Sequence, residues 1–381
     1  MSDTSALHAS TSPMAQSAPS RPRRGLSSAR SALSTAGIYA LSIGVALALC
    51  AILVSTTGGS ARAVFSAMLD GSLRSPGAWG LTLTTATPLL IVAVGSIVCS
   101  KAGLTNIGQE GQLLLGIAAT AYVGVRLDAP GPIVIVAAFL AAAIAGAIWA
   151  GIAALMRFTR QVPEVISTLL LVFLAANLTT FGLDRTWLLL NRSGEVSNTN
   201  SGDPLPTSVR MPLIRIFGNE VSSGLVVALA LSAVVAFVLG RTTWGFRLRM
   251  LGMNPRTARR AGVSAVAYGG AAMLITGAFA GAAGTTWLLG GAAGTRFTSG
   301  ISSNIGWQGL QVALLAREKP ILAVPMAFIF AMLRTGSNFL AATGVERRIA
   351  DVVQALLVLA LLVPPAVDAI RKHRISKVAT L

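Results

Sequence analysis

Apolar stretches close to 20 residues long recur along this chain, and a chain built this way can fold only as a polytopic membrane protein. They fall at residues 33–54, 80–99, 104–126, 131–156, 163–183, 222–240, 264–289, 304–316, 320–341 and 350–370. About 20 apolar residues carry an α-helix across the hydrocarbon core of a bilayer. Lipid offers no partners for loose backbone N–H and C=O groups, so such runs span as helices. The expected fold class is therefore all-α and polytopic, with about 10 transmembrane helices including broken or re-entrant segments. The 304–316 run is too short to cross alone, so about eight or nine full crossings plus re-entrant pieces fit the same pattern.

Composition and inventory exclude most other classes. The chain is 54% hydrophobic and 11% charged, against roughly 25% charged in soluble domains. Cys50 and Cys99 lie inside apolar runs, which implies no disulfide framework. His8 and His373 lie in the terminal tails, and no Cys/His cluster, metal motif or phosphate loop occurs. The chain reads as no enzyme, with no cofactor of its own. If ATP is used, another subunit hydrolyses it.

Charge sets the expected orientation. Residues 1–32 are rich in Ser, Ala, Pro and Arg and read as a disordered cytoplasmic tail. The membrane domain then covers 33–370, and 371–381 form a basic cytoplasmic tail. The first run is long enough to span, and Leu49 precedes Cys50 where a lipoprotein cleavage site wants a small residue, so an uncleaved signal anchor is expected. With both termini cytoplasmic, most of the 30 basic residues fall inside, among them Arg157, Arg160, Arg241 and Arg260. Most acids fall outside: Asp70, Asp128, Asp184, Glu195, Asp203, Glu220 and Glu346. This is the positive-inside inequality. It accounts for the +17 net charge without nucleic acid, and no basic stretch carries interleaved aromatic residues for base stacking. The 184–221 segment is the one large external excursion.

One polar break interrupts the apolar pattern, Lys101-Ala-Gly-Leu-Thr-Asn-Ile-Gly-Gln-Glu-Gly-Gln112. Irregular polar backbone at membrane depth survives only inside protein or along a water-filled cavity, and ionisable groups there mark pathways or relays. Asn106, Gln109 and Glu110 are therefore candidates to line a path for a polar solute. The competing readings are a loop at the membrane surface and a role in stitching broken backbone or neighbouring helices. A second polar set is Asn304, Trp307, Gln308 and Gln311, whose i, i+3, i+4, i+7 spacing puts all four on one helical face. Trp307 could offer an aromatic face for stacking or anchor at the membrane interface. Arg334 is expected to snorkel outward, Glu164 to sit at a helix start, and the Gly and Ala residues of 264–294 to serve close helix packing.

A basic segment follows the 222–240 run, from Arg241 to Gly262. Asn254 can cap a helix whose first position is Pro255, Ala258 and Ala261 continue it, and Gly262 can end it. Such a short polar helix is useful if it docks on a partner, while the plain alternative is a basic loop that only fixes topology.

Three stretches carry a family resemblance: Ala102–Gly111 with its Asn-Ile-Gly-Gln-Glu-Gly core, Val162-Pro-Glu-Val-Ile-Ser-Thr168, and Gly245–Gly262 with Gly-Phe-Arg-Leu-Arg and Gly-Met-Asn-Pro. The chain resembles the permease subunits of bacterial ATP-driven (ABC) importers, in the nucleoside and simple-sugar branch of the branched-chain amino acid/ribose permease family. The resemblance covers most of residues 80–365. It implies a subunit of the bacterial cytoplasmic (inner) membrane that pairs with a second permease, expected as a heterodimer. It also implies cytoplasmic ABC ATPase partners holding ATP and Mg, and an external substrate-binding protein. The family's coupling segment maps onto Trp244–Gly262, which makes Gly245, Phe246, Arg247, Arg249, Gly252, Asn254, Pro255, Arg256, Ala258, Arg259 and Gly262 the candidate ATPase-coupling residues. Trp307, Gln308 and Gln311 depart from the family pattern, which leaves the identity of the solute open. Two other classes remain: a secondary transporter using Glu110 as a proton or ion relay, and a non-transporting membrane scaffold.

Overall fold

The computed structural model describes residues 60–185, 187–189, 201–216, 218–294 and 296–342, with isolated positions between 41 and 55 and between 352 and 367. The expected tails at 1–32 and 371–381 lie outside the described residues, as do most of the runs at 33–54 and 350–370. Helix α1 (Ala61–Leu69) continues through a π-helical turn, Asp70–Arg74. Helices α2 (Ala78–Lys101), α3 (Gln109–Arg126), α4 (Gly131–Arg160) and α5 (Glu164–Leu183) follow. A hairpin, β1 (Leu213–Ile216) and β2 (Asn219–Ser222), precedes α6 (Gly224–Arg241). Two short helices, α7 (Thr243–Met253) and α8 (Pro255–Arg260), lead to α9 (Ala265–Leu289), α10 (Ile305–Leu315) and α11 (Pro320–Ala342).

Among the described residues, α2, α4, α5, α6, α9 and most of α11 are long and apolar enough to cross a membrane. α10, with 11 residues, is apolar but too short. Helix α2 is the centre of the bundle. Its apolar window is 89% buried, against 28% for α4 and α6, as befits a helix apolar on all sides. Leu89, Ile91 and Val94 are completely enclosed, and α9, α11, α10 and α6 pack around it. Helices α3, α4 and α9 meet through small residues. A Cβ on Gly146 would stand 2.1 Å from the Gly277 carbonyl oxygen, and one on Gly281 would stand 2.0 Å from that of Ala142. The small residues of α9 thus bring backbones together, as expected of membrane helices that gain little hydrophobic energy from each other.

Three features depart from the sequence reading. The 104–126 run is trimmed to Gln109–Arg126, because the chain turns sharply after α2. Gly103 takes φ +75, its N–H reaches the Ser100 carbonyl and the Leu104 N–H reaches that of Cys99. This paired closure is a Schellman motif. The second departure is α1 with its π turn, which lies outside every expected run and packs on α11. The third is the antiparallel hairpin, with Leu213 opposite Ser222 and Ile216 opposite Asn219. It corrects the all-α expectation: the 184–221 segment, expected as an external loop, contributes two short strands. The hairpin sits on the first turns of α2, where the Ser222 N–H donates to Thr84 Oγ1 at 3.2 Å.

Candidate functional site

The polar break is a tightly tied turn. Asn106 Oδ1 accepts the Gly108 N–H at 2.9 Å. The amides of Asn106 and Gln112 pair reciprocally, at 3.0 and 3.2 Å. Thr168 Oγ1 on α5 accepts the Ile107 N–H at 3.2 Å. Gln109 donates to Ser96 Oγ on α2, while its Oε1 is buried without a hydrogen-bond partner. Asn106, Gln109, Glu110 and Gln112 are all buried. These partners supply what broken backbone at this depth requires. Ser96, Gln112 and Thr168 complete the turn; Gln112 lies in the polar break itself, whereas nothing in the local sequence marks Ser96.

Glu110 reaches furthest. Its Oε1 accepts the Asn304 N–H at 3.1 Å and its Oε2 accepts the Gly306 N–H at 2.7 Å. The Ser302 hydroxyl and the Trp307 N–H add to the same carboxylate. The first N–H groups of a helix lack intrahelical partners, and the helix dipole favours an anion there. Glu110 therefore caps α10 from another helix. Asn304 has a left-handed backbone, φ 65, and makes no cap with its own side chain. Gly306 permits the approach, since a Cβ there would stand 2.4 Å from the Glu110 nitrogen.

Helix α10 carries Trp307, Gln308 and Gln311 as the spacing predicts, while Asn304 precedes the helix with a left-handed backbone and is not part of its helical face. Asn304 is exposed, and Trp307, Gln308 and Gln311 are half-buried, while Ile305, Gly306, Gly309 and Val312 face the core. The structure thus separates two groups: a buried knot at 106–112 and a half-open face at 304–311, joined by Glu110. Arg334 overturns the snorkelling expectation. It is 9% exposed, donates to the Ser303 carbonyl at 2.9 Å and to Gln308 Oε1 at 3.1 Å, and lies over the Trp287 ring. Glu164 starts α5 and pairs with Arg157 at 3.1 Å.

The basic segment folds as its capping chemistry dictates. Asn254 Oδ1 accepts the N–H groups of Arg256 and Thr257 at 3.0 and 3.2 Å, with Pro255 at the first helical position. Gly262, φ +78, closes α8, with the Val263 N–H on the Ala258 carbonyl. Ala258 is fully buried against Leu251 and Val263, so it holds α8 to α7 rather than facing out. Gly245 is also internal, where an added Cβ would stand 2.2 Å from the Val238 carbonyl oxygen. Arg249 donates to the Leu239 carbonyl and Arg247 to the Tyr268 hydroxyl at 3.2 Å. Among the coupling candidates, Phe246, Arg247, Asn254, Pro255, Arg256, Arg259 and Gly262 are exposed, with Met253 and Arg260 beside them. Gly252 sits on the polar break itself. A Cβ there would stand 2.4 Å from the Lys101 carbonyl oxygen, and Gly103 meets Gly252 from the other side.

The motif resemblance is matched by comparison with known proteins. A family model described as branched-chain amino acid transport system / permease component matches residues 78–362. A glucose ABC transporter permease protein of Haloferax volcanii is 34% identical over 295 residues, covering 74% of this chain and 76% of that protein. A guanosine ABC transporter permease protein of Bacillus subtilis is 29% identical over 322 residues, covering 84% and 90%. A nucleoside ABC transporter permease protein of Lactococcus lactis is 29% identical over 294 residues, covering 76% and 79%. The match begins at the first residue of α2 and runs past α11, so it takes in the 101–112 turn, the α7–α8 segment and α10 together: this multi-pass chain belongs to the permease-component family of the branched-chain amino acid transport system.

Proposed function

We propose that this chain is the membrane subunit of an ATP-driven importer for a nucleoside or simple sugar. The observation that carries the reading is a continuous set of contacts. It runs from α8 through Leu251 and Ala258 into α7, across the Gly252–Gly103 seam to the polar break, and through Glu110 to the start of α10. An ATPase that pushes α8 would move rigid elements that end at the polar face of α10. Phe246 and Met253 are exposed among arginines on that segment, which suits docking on a protein groove. The solute class comes from the relatives, which are named for guanosine, nucleosides and glucose.

The ATPase holds ATP and Mg, an external binding protein delivers the solute, and this chain does no covalent chemistry. Two Bacillus subtilis relatives are both guanosine permease proteins, which favours a heterodimer with a second permease. In this reading the chain sits in the bacterial inner membrane with about ten crossings and both termini cytoplasmic, an orientation supported by the positive-inside inequality, and α7–α8 faces the ATPase. The solute passes the face of Asn304, Trp307, Gln308 and Gln311, and the buried knot at Asn106, Gln109 and Glu110 supports that face. Binding and hydrolysis of ATP then rock the bundle between outward- and inward-open states.

Solute chemistry gives the test. A nucleobase presents a broad π face to Trp307 and a sugar does not. Trp307→Leu should cut radiolabelled guanosine uptake by about tenfold or more, in line with base–aromatic stacking of roughly 1–3 kcal/mol. Glucose uptake, if present, should be nearly unchanged. Equal loss for both solutes would remove stacking from the account, and no loss for either would move the path away from α10.

A further inference from the structure

Arg334 lies within a segment apolar enough to cross the membrane, and it is buried there. A cation in such a place is costly and needs partners. It has them on three elements: the Ser303 carbonyl before α10, Gln308 Oε1 on α10, and the face of Trp287 on α9. Glu110 holds the same turn from its other flank, through Asn304 and Gly306. The start of α10 is thus clamped between an anion and a cation carried by two different helices.

The clamp has a chemical consequence for Gln308. A guanidinium has only donors, so the glutamine oxygen must turn toward it. The orientation of the amide follows from that network rather than from shape. With its oxygen on the guanidinium, the amide directs its N–H pair away from Arg334, and Gln308 is half-buried, as are Trp307 and Gln311. Resting on the import reading above, we infer that Arg334 is a positioning residue that makes Gln308 a fixed hydrogen-bond donor to the solute. The matching group on the solute is an acceptor: a nucleobase carbonyl or ring nitrogen, or a sugar oxygen. Trp307, one residue away, suits the base.

A merely structural pair and a donor to solute respond oppositely to Gln308→Glu. Glutamate keeps an oxygen on Arg334, gains an ion pair, and loses the amide donor. The measurement is radiolabelled guanosine uptake by the full permease–ATPase complex in proteoliposomes with saturating binding protein, alongside the melting temperature of the complex. Gln308→Glu should lower uptake by about tenfold or more, the usual effect of a buried polar group left without its partner, with melting unchanged or raised. Gln308→Met should lose uptake to a similar extent. Arg334→Lys, which still offers a charged donor to Oε1, should keep more uptake than Arg334→Met. Wild-type uptake in Gln308→Glu would overturn the inference, because then the amide serves only Arg334. A wild-type complex that imports neither guanosine nor glucose on ATP would instead overturn the import reading, and the inference would fall with it.

Discussion

Replacing Gly252 by alanine is expected to cut coupled uptake severely while leaving the protein in the membrane. The added Cβ would stand 2.4 Å from the Lys101 carbonyl oxygen and 2.9 Å from the Gly103 nitrogen. Both are backbone atoms at the end of α2, the most buried helix, and cannot swing aside as a side chain can. Overpacking of this kind costs about 1–3 kcal/mol, and here it falls where α7 meets the polar break. Helix α7 must lift off, and motion delivered to α8 then no longer reaches Glu110. Uptake should drop by more than about tenfold, since roughly 1.4 kcal/mol is a factor of ten, while ATP hydrolysis by the complex continues. Arg259→Glu should act differently. Arg259 is exposed on α8, so its reversal should weaken recovery of the ATPase and spare the fold. Parallel measurement of ATPase recovery, ATP hydrolysis and uptake separates the two. Normal uptake in Gly252→Ala would show that the seam carries no motion.

Glu110→Leu should be the most damaging single change at the polar break. Leucine removes the acceptor for the Asn304 and Gly306 N–H groups. Each orphaned donor costs about 1–3 kcal/mol, and α10 loses the anion at its N-terminus. Uptake should vanish and the melting temperature of the purified complex should fall by several degrees. Glu110→Gln keeps one oxygen, so it should lie between Leu and wild type on both measures. A relay predicts another pattern: Gln and Leu would be equally inactive in transport, with melting unchanged in Gln. That pattern would favour ion-driven transport over a structural cap.

The parts of this account that were legible in the sequence are the ones set by local chemistry. Membrane runs follow from their length, so the expected 131–156, 222–240 and 264–289 runs lie inside α4, α6 and α9 or within two residues of them. The Asn254-Pro255 start and the Gly262 stop follow from one side chain and two backbones, and both are present. The face shared by Trp307, Gln308 and Gln311 follows from helical period alone. Long-range partners were not legible. Glu110 and Gly306 are 196 positions apart, and no periodicity announces that a carboxylate will cap a helix so far along the chain. Arg334 reads from sequence as a residue reaching for the surface, because an isolated arginine in an apolar run gives no hint of Ser303 or Trp287. The hairpin is not legible because each strand has four residues, too few for alternation to stand out.

The central claim is that ATP hydrolysed by a partner drives solute through this chain. The most direct measurement is radiolabelled guanosine and glucose uptake into proteoliposomes. These hold the chain with its second permease and ATPase, with the binding protein supplied on the outside. The account predicts uptake only with ATP and Mg on the ATPase side, no uptake from a proton or sodium gradient alone, and loss of ATP-driven uptake in Gly252→Ala. Uptake driven by an ion gradient without ATP, abolished by Glu110→Gln, would contradict it.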